Sequence, residues 1–134
     1  MDVQEVNRRT IAQFRAGGAI DGMQRDRLIL LTTTGRRTGV SYTTPLMYHR
    51  DGDRLLIVAS NIGAPKHPDW YLNLRADPRV TVEVGGEGYP ARATPLTGED
   101  RARTWTMLKN TYPFFAEHEM QTSRIIPVVA LTRA

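Results

Sequence analysis

The chain has 134 residues, of which 40% are hydrophobic and 24% charged, values that are typical of one folded domain. It contains no cysteine, which excludes disulfides, zinc–thiolate sites and thiol nucleophiles, and its three histidines lack metal-ligand spacing, so no metal is expected. The formal net charge of +4 favours an anionic ligand, and because the arginines are scattered along the chain, a small anion is favoured over a nucleic acid.

The first predicted element is an amphipathic helix over Asp2–Arg15. Its apolar side consists of Val3, Val6, Ile11 and Phe14. We favour a helix packed on the domain; the alternative is a helix that contacts a membrane surface or covers a substrate. Glycines follow, so we divide the chain into a helix with a flexible connector, residues 1–26, and a folded domain, residues 27–134. Without a signal-peptide core or a bilayer-spanning run, a cytoplasmic protein is expected, at the inner face of the membrane if the helix contacts lipid.

The folded domain contains six predicted strands, each a run of β-branched or apolar residues between turn residues. These strands cover Arg27–Thr34, Val40–His49, Arg54–Ser60, Val80–Val84, Gly88–Leu96 and Ile125–Leu131. Predicted helices run from His67 or Pro68 to Arg75, from an N-cap at Thr97 to about Asn110, and over Phe114–Met120. Because the turns between successive strands are short, neighbouring strands must be antiparallel. The expected fold class is α+β and mainly β, a six-stranded antiparallel barrel with helices packed outside.

The turn between the first two strands, Gly35–Gly39, has the sequence GRRTG. Its glycines allow backbone amides to point toward one spot, and Arg36, Arg37 and Thr38 add guanidiniums and a hydroxyl around it. Such a loop can hold a phosphate, although it lacks the spacing of a P-loop. Taken alone, the pattern is more often an ordinary hairpin turn with solvated arginines.

A second candidate site lies at residues 59–73, where the third strand ends and a helix begins. Lys66 and His67 stand at the helix start, where a cation and the positive end of the helix dipole both favour an anion. The small residues before them allow a flat ring to lie close to the backbone. Trp70 and Tyr71 are more typical of core aromatics than of ring-stacking residues.

A third candidate is the aromatic segment Tyr112–His118, which is either a substrate wall or the anchor of a helix on the barrel. No serine lies in a nucleophile motif, and the paired Asp51 and Asp53 belong to a turn, so a hydrolase finds no support. Two anion sites and an aromatic wall, without acid–base machinery, are typical of an enzyme whose bound cofactor performs the chemistry.

From Leu28 to Leu131 the chain resembles the deazaflavin-dependent nitroreductases, the coenzyme F420-binding branch of the split-barrel flavoprotein superfamily. The matching segments are LLTTTGRRTG, TTPLMY, DGDRLLIVASN, GAPKHPDWYLNL, DPRVTVEVGG and TSRIIPVV. Each is weak alone, but their order and spacing together are specific. The resemblance implies a split barrel that transfers a hydride from reduced coenzyme F420 to a small electron-poor acceptor, such as a quinone, an enone or a nitro compound.

The resemblance also implies roles for individual residues. The coenzyme's phosphate-bearing tail is expected at Arg36, Arg37, Thr38 and Gly39. Its ring or side chain is expected along Thr44 and Pro45, and the deazaflavin ring at Ala59, Ser60 and Asn61. The lining on its phosphate and ring sides is expected at Lys66, His67, Trp70 and Asn73, with Ala64 as a further contact. The acceptor pocket is expected at Met47, Tyr112, Phe115 and His118, and we favour Tyr112, or water beside it, as the proton donor.

Three positions depart from the family pattern. Phe115 and His118 stand where the best-known members have tyrosines, so an altered acceptor preference is expected. Tyr42 stands where a basic residue is common, which predicts a weaker grip on the coenzyme's tail. Two other functions stay open: a split-barrel enzyme that uses FMN, and a non-enzymatic protein that binds a deazaflavin or another anion. The protein is expected to be a monomer or a homodimer.

Overall fold

The computed structural model of the protein describes residues 3–17 and 27–134; the predicted connector lies mostly outside these ranges. The described helices are α1 (Val3–Ala16), α2 (Asp69–Ala76), α3 (Gly98–Thr111) and α4 (Phe114–Met120). The described strands are β1 (Leu28–Thr34), β2 (Ser41–Met47), β3 (His49–Asp51), β4 (Arg54–Val58), β5 (Arg79–Val84), β6 (Glu87–Pro95) and β7 (Val128–Arg133). A 3₁₀ turn, Asn61–Gly63, follows β4. Within these ranges, no helix is long and apolar enough to cross a membrane.

The seven described strands form one antiparallel sheet in the order β2-β1-β5-β6-β7-β4-β3. The edge strands β2 and β3 are consecutive in the chain and are separated only by Tyr48, so the sheet must be curled for the chain to pass directly from one edge to the other. The antiparallel α+β fold is confirmed, whereas the prediction of six strands is wrong by one. The predicted strand Val40–His49 divides at Tyr48 because its first part pairs with β1 and its continuation pairs with β4.

Strand β1 shows how the sheet is covered on both faces. Ile29 and Leu31 belong to the core inside the curled sheet, whereas Leu28 and Leu30 pack against Phe14 of α1. Because successive side chains of a strand point to opposite faces, one run of four apolar residues contributes to two cores.

Helix α1 packs on the sheet, which is the arrangement that we favoured from its sequence. Phe14 is buried, and Ile11 lies against the same small core. Arg15 donates to both carboxylate oxygens of Glu83 on β5, at 3.0 and 2.8 Å. These contacts place the first turns of the helix beside β2 and beside the turn between β1 and β2.

Three details differ from the sequence prediction. Strand β4 ends at Val58, two residues early, because the chain leaves the sheet for the 3₁₀ turn. Strand β7 begins at Val128, three residues late, at the position where it pairs with the end of β4. Thr97 is the N-cap of α3 and has extended backbone, but its side chain forms no capping hydrogen bond.

Candidate functional site

The arginine hairpin, Gly35–Gly39, is closed by its own backbone. Gly35 N donates to Val40 O at 2.8 Å, and Gly39 N donates to Gly35 O at 2.9 Å. A Cβ atom on Gly35 would lie 2.6 Å from the Tyr42 ring and 2.7 Å from Thr38 Oγ1, so a larger residue would displace both side chains. The hairpin therefore has a fixed shape from which Arg36 and Arg37 extend.

The arginine hairpin lies against the first turns of α2. Arg36 Nη1 donates to Asn73 Oδ1 at 2.8 Å, and the backbone nitrogen of Arg36 donates to the same oxygen at 3.2 Å. Arg36 Nη2 also donates to Asp69 at 3.3 Å. Asn73 Nδ2 in turn donates to Thr33 Oγ1 at 3.3 Å. The buried amide of Asn73 thus ties β1, the hairpin and α2 together.

A cavity of about 640 Å³, which we call the basic groove, opens between the arginine hairpin, β2, α2 and α1. Its lining consists of Gln4, Asn7, Arg8, Ile11, Thr33, Gly35, Arg36, Arg37, Thr38, Tyr42, Thr43, Thr44, Asp69, Trp70 and Asn73. This lining contains three guanidiniums, those of Arg8, Arg36 and Arg37, and one carboxylate, that of Asp69. The side chains of Arg8 and Arg37 form no hydrogen bond or ion pair with any described residue. This positive excess suits an anionic group.

A second, smaller cavity of about 180 Å³, the apolar cavity, lies between β2, β3, β4, α3 and α4. Its lining consists of Leu46, Met47, Tyr48, His49, Leu56, Val58, Ser60, Leu108, Phe114, Phe115 and His118. Strand β2 connects the two spaces, since Thr43 and Thr44 line the basic groove while Leu46 and Met47 line the apolar cavity. The two spaces therefore lie at successive positions along one strand.

Two hydrogen-bonded pairs border the apolar cavity. His49 Nδ1 lies 2.8 Å from the hydroxyl oxygen of Tyr112, and His118 Nδ1 lies 3.1 Å from Ser60 Oγ. Phe115 is buried and meets Tyr112 edge-on, with the ring centroids 5.9 Å apart. Tyr112 itself does not line the cavity but contacts its lining residues, with a hydrogen bond to His49.

The loop from Ala59 to Ala64 is held in an unusual backbone conformation. Asn61, Ile62 and Gly63 all have positive φ, at 49°, 55° and 77°. For a β-branched residue such as Ile62 this region is strained. A Cβ atom on Gly63 would lie 2.9 Å from the carbonyl oxygen of His118, so the loop can approach α4 only with glycine there.

Arg124 holds this loop from behind. Its Nε donates to Ala64 O at 2.9 Å, and its two terminal nitrogens donate to Ala59 O at 3.1 Å and Ser60 O at 2.7 Å. Burial lowers the pKa of the Arg124 guanidinium. A guanidinium that binds three carbonyls of one loop fixes the shape of that loop more firmly than backbone contacts alone.

His67 also faces Arg124, whose Nη1 lies 3.1 Å from His67 Nδ1. Because arginine can only donate, His67 Nδ1 must accept and the ring must be neutral. Burial, followed by the charges of Arg124 and Arg75, lowers the pKa of His67 accordingly. His67 therefore contributes no positive charge here.

The predicted site residues fall into three groups. Those that line the basic groove are Arg36, Arg37, Thr38, Thr44, Trp70 and Asn73. Those that line the apolar cavity are Met47, Ser60, Phe115 and His118. Those that line neither are Gly39, Pro45, Ala59, Asn61, Ala64, Lys66, His67 and Tyr112.

Sequence reasoning missed three residues of this site. Arg8 lines the basic groove from α1, His49 lines the apolar cavity from β3, and Arg124 holds the 59–64 loop. Arg8 lies within the predicted first helix, and Arg124 lies within the segment TSRIIPVV, but neither pattern indicated a role for the individual side chain. The hydrogen bond to Tyr112 depends on tertiary packing, so no local pattern indicated a role for His49.

Comparison with known proteins places the chain among enzymes. A family model described as F420H(2)-dependent quinone reductase matches residues 4–133. An F420H(2)-dependent quinone reductase of Mycobacterium tuberculosis is 44% identical over 108 residues, which cover 78% of this chain and 72% of that protein. A solved F420-H2 dependent reductase superposes with a TM-score of 0.70 at 39% identity, over 78% of this chain and 93% of that one. A solved structure described as a domain-swapped dimer superposes with a TM-score of 0.74 at 35% identity, over 92% and 95%.

Proposed function

Because the chain belongs to the F420H(2)-dependent quinone reductase family, we propose that its basic groove binds the charged arm of coenzyme F420 and its apolar cavity receives the quinone. The protein is an oxidoreductase that transfers a hydride from reduced F420 to a quinone acceptor. The observation that carries the assignment of the two spaces is their position along β2, with hydroxyls toward one and apolar side chains toward the other.

The residues of the basic groove suit a phosphate-bearing arm. Arg37 and Arg8 have no anionic partner among the described residues, and Thr38 and Thr44 add hydroxyl donors. Arg36 is already oriented by Asn73, so little of its side-chain freedom remains to be lost when an anion binds. Arginine forks bind phosphate in two-bond geometry, which fixes the arm as well as attracting it.

The resemblance assigns the deazaflavin ring to the 59–64 loop, and the contacts of that loop support this proposal. When bound, the reduced coenzyme supplies a hydride. The chain's own contribution is placement: Arg124 fixes the backbone of Ala59 and Ser60, and the apolar lining excludes water from the reaction. Tyr112 keeps a proposed part in protonation of the acceptor, through its hydrogen bond to His49, which lines the apolar cavity.

The lining of the apolar cavity favours quinones over nitro compounds as acceptors. Phe115 offers no hydrogen-bond donor to a nitro oxygen, whereas His49 and His118 leave two imidazoles for two carbonyl oxygens. Enones and nitro compounds stay in the proposal as slower acceptors.

Helix α1 is proposed as a wall of the coenzyme site and not as a membrane anchor. Phe14 is buried against β1, and Arg8 faces the basic groove. The division into an N-terminal helix with its connector, residues 1–26, and a barrel domain, residues 27–134, is retained as a proposal. The relative described as a domain-swapped dimer makes a homodimer the first oligomeric state to test, with a monomer as the alternative.

The test measures cofactor choice and turnover with the purified protein. Fluorescence titration with F420 and, separately, with FMN is expected to give the tighter dissociation constant for F420. Stopped-flow oxidation of the reduced coenzyme is expected with quinones and to be slower with nitroaromatic compounds. Tighter binding of FMN would favour the FMN-dependent alternative, and tight F420 binding without oxidation by any acceptor would favour a non-enzymatic binder.

A further inference from the structure

Two of the chain's three histidines line the apolar cavity, and they enter it from different elements. His49 lies on β3 and His118 on α4. Apart from Tyr48, they are the only ionisable residues in that lining. The other side chains are aliphatic, aromatic or thioether groups, together with the hydroxyl of Ser60. An apolar cavity with two imidazoles is built for a flat apolar ligand that carries two polar atoms.

Both imidazoles use the same ring nitrogen for an internal hydrogen bond. Each uses Nδ1 for an internal hydrogen bond, His49 to Tyr112 and His118 to Ser60. Nε2 of each ring has no hydrogen-bond partner among the described residues. An internal bond at Nδ1 fixes the ring and leaves Nε2 as the atom that meets a ligand.

We propose, on the basis of the proposed function, that His49 and His118 bind the two carbonyl oxygens of the quinone and that His49 delivers the proton that completes its reduction. A hydride adds two electrons and one hydrogen to the quinone, which becomes a hydroquinone monoanion. The Nε2–H bond of protonated His49 then breaks, and a new O–H bond forms on the negatively charged oxygen. The neutral imidazole recovers its proton from solvent.

His49 is the donor because of its position between Tyr112 and the cavity. Tyr112 does not line the cavity, while its hydroxyl oxygen lies 2.8 Å from Nδ1 of His49 and holds the ring in place. Tyr112 is then a positioning residue that acts through His49. His118, held by Ser60 and flanked edge-on by Phe114 and Phe115, orients the second oxygen.

Kinetics of three variants separate these roles. His49→Gln is expected to lower kcat by about 10²-fold to 10⁴-fold and to abolish the fall of kcat with rising pH. Tyr112→Phe is expected to lower kcat by a smaller factor than His49→Gln does and to leave KM for the quinone unchanged. His118→Gln is expected to raise KM for the quinone more than it lowers kcat. An unchanged kcat and pH profile in His49→Gln, with wild-type F420 affinity, would overturn this inference and leave the proposed function intact.

A binding measurement without turnover provides an independent readout. In ¹⁵N-labelled wild-type protein without coenzyme, a hydroquinone such as 1,4-dihydroxynaphthalene is titrated under anaerobic conditions. The Nε2 resonances of His49 and His118 are expected to shift, while those of His67, which faces Arg124 and lines neither space, serve as the internal reference. Shifts confined to His67, or no shift at either cavity histidine at saturation, would contradict the proposal.

Discussion

The side-chain oxygen of Asn73 accepts two hydrogen bonds from one residue, Arg36: from its backbone nitrogen at 3.2 Å and from its guanidinium at 2.8 Å. Asn73 is 4% exposed and sits on α2, whereas Arg36 belongs to the turn between β1 and β2. One buried amide therefore sets the position of the hairpin on which the proposed anion site depends.

Replacement of this amide tests that dependence. Asn73→Leu keeps a similar volume but leaves the Arg36 donors and Thr33 without their partner, so the free energy of unfolding should fall by about 1–3 kcal/mol. The affinity for F420 should fall as well, because the hairpin loses its fixed position. Urea denaturation and fluorescence titration measure the two effects. The control is Asp69→Asn, which removes only the exposed ion pair with Arg36 and should change stability by less than about 1 kcal/mol.

Two adjacent arginines of α1 provide a matched pair. Arg8 lines the basic groove, whereas Arg9 is exposed and does not. Arg8→Ala is expected to weaken F420 binding by roughly fivefold, since an exposed charge contributes about 1 kcal/mol. Arg9→Ala lowers the net charge equally and should leave the dissociation constant within experimental error. Equal losses in both variants would mean that only the overall charge matters and that α1 is not a wall of the site.

The strained loop can be relaxed at one position. Ile62 has φ 55° and is 77% exposed, so its side chain loses little by replacement. Asparagine tolerates this backbone region, and Ile62→Asn is expected to stabilise the protein by about 1 kcal/mol. Ile125→Asn is the control, because Ile125 is 75% exposed and is not among the residues with positive φ. A higher thermal midpoint for the control than for Ile62→Asn would refute the assignment of strain to Ile62.

His67 makes stability depend on pH in a defined direction. Its pKa is lowered in the folded state, so the unfolded chain binds the proton more readily. The free energy of unfolding should therefore fall as the pH drops below about 6.5, the ordinary value for histidine. In His67→Asn this part of the pH dependence should disappear. Carboxylates whose pKa is lowered in the folded state, such as Glu119, also reduce the free energy of unfolding as the pH falls. Their effect lies near pH 4 and below, and it should persist in the His67→Asn variant.

Local sequence patterns predicted most elements of the fold and marked the arginine hairpin, whereas most of the proposed site residues came from the family resemblance. Runs of apolar residues located β1 and β7 because both are buried, and the glycines at residues 35 and 39 marked the hairpin. The break at Tyr48 could not be predicted, since it depends on which strands pair with each half of Val40–His49.

The missed residues were missed for a related reason. Arg124 binds carbonyls that lie about 60 residues earlier in the chain, and Arg8 lines the same groove as the hairpin because Phe14 packs α1 on β1. Such contacts are set by packing between distant segments, which periodicity and motif spacing do not report.

The central claim is that the basic groove binds the charged arm of F420, and one comparison tests it directly. Dissociation constants are measured for F420 and for a deazaflavin that lacks the phosphate-bearing arm, with wild-type protein and with the Arg36→Ala/Arg37→Ala double variant. We predict that the double variant loses at least tenfold in affinity for F420, because each charged hydrogen bond contributes about 1.5–3 kcal/mol. Its affinity for the armless deazaflavin should equal that of the wild type. Equal losses for the two ligands, or no loss for F420, would contradict the claim.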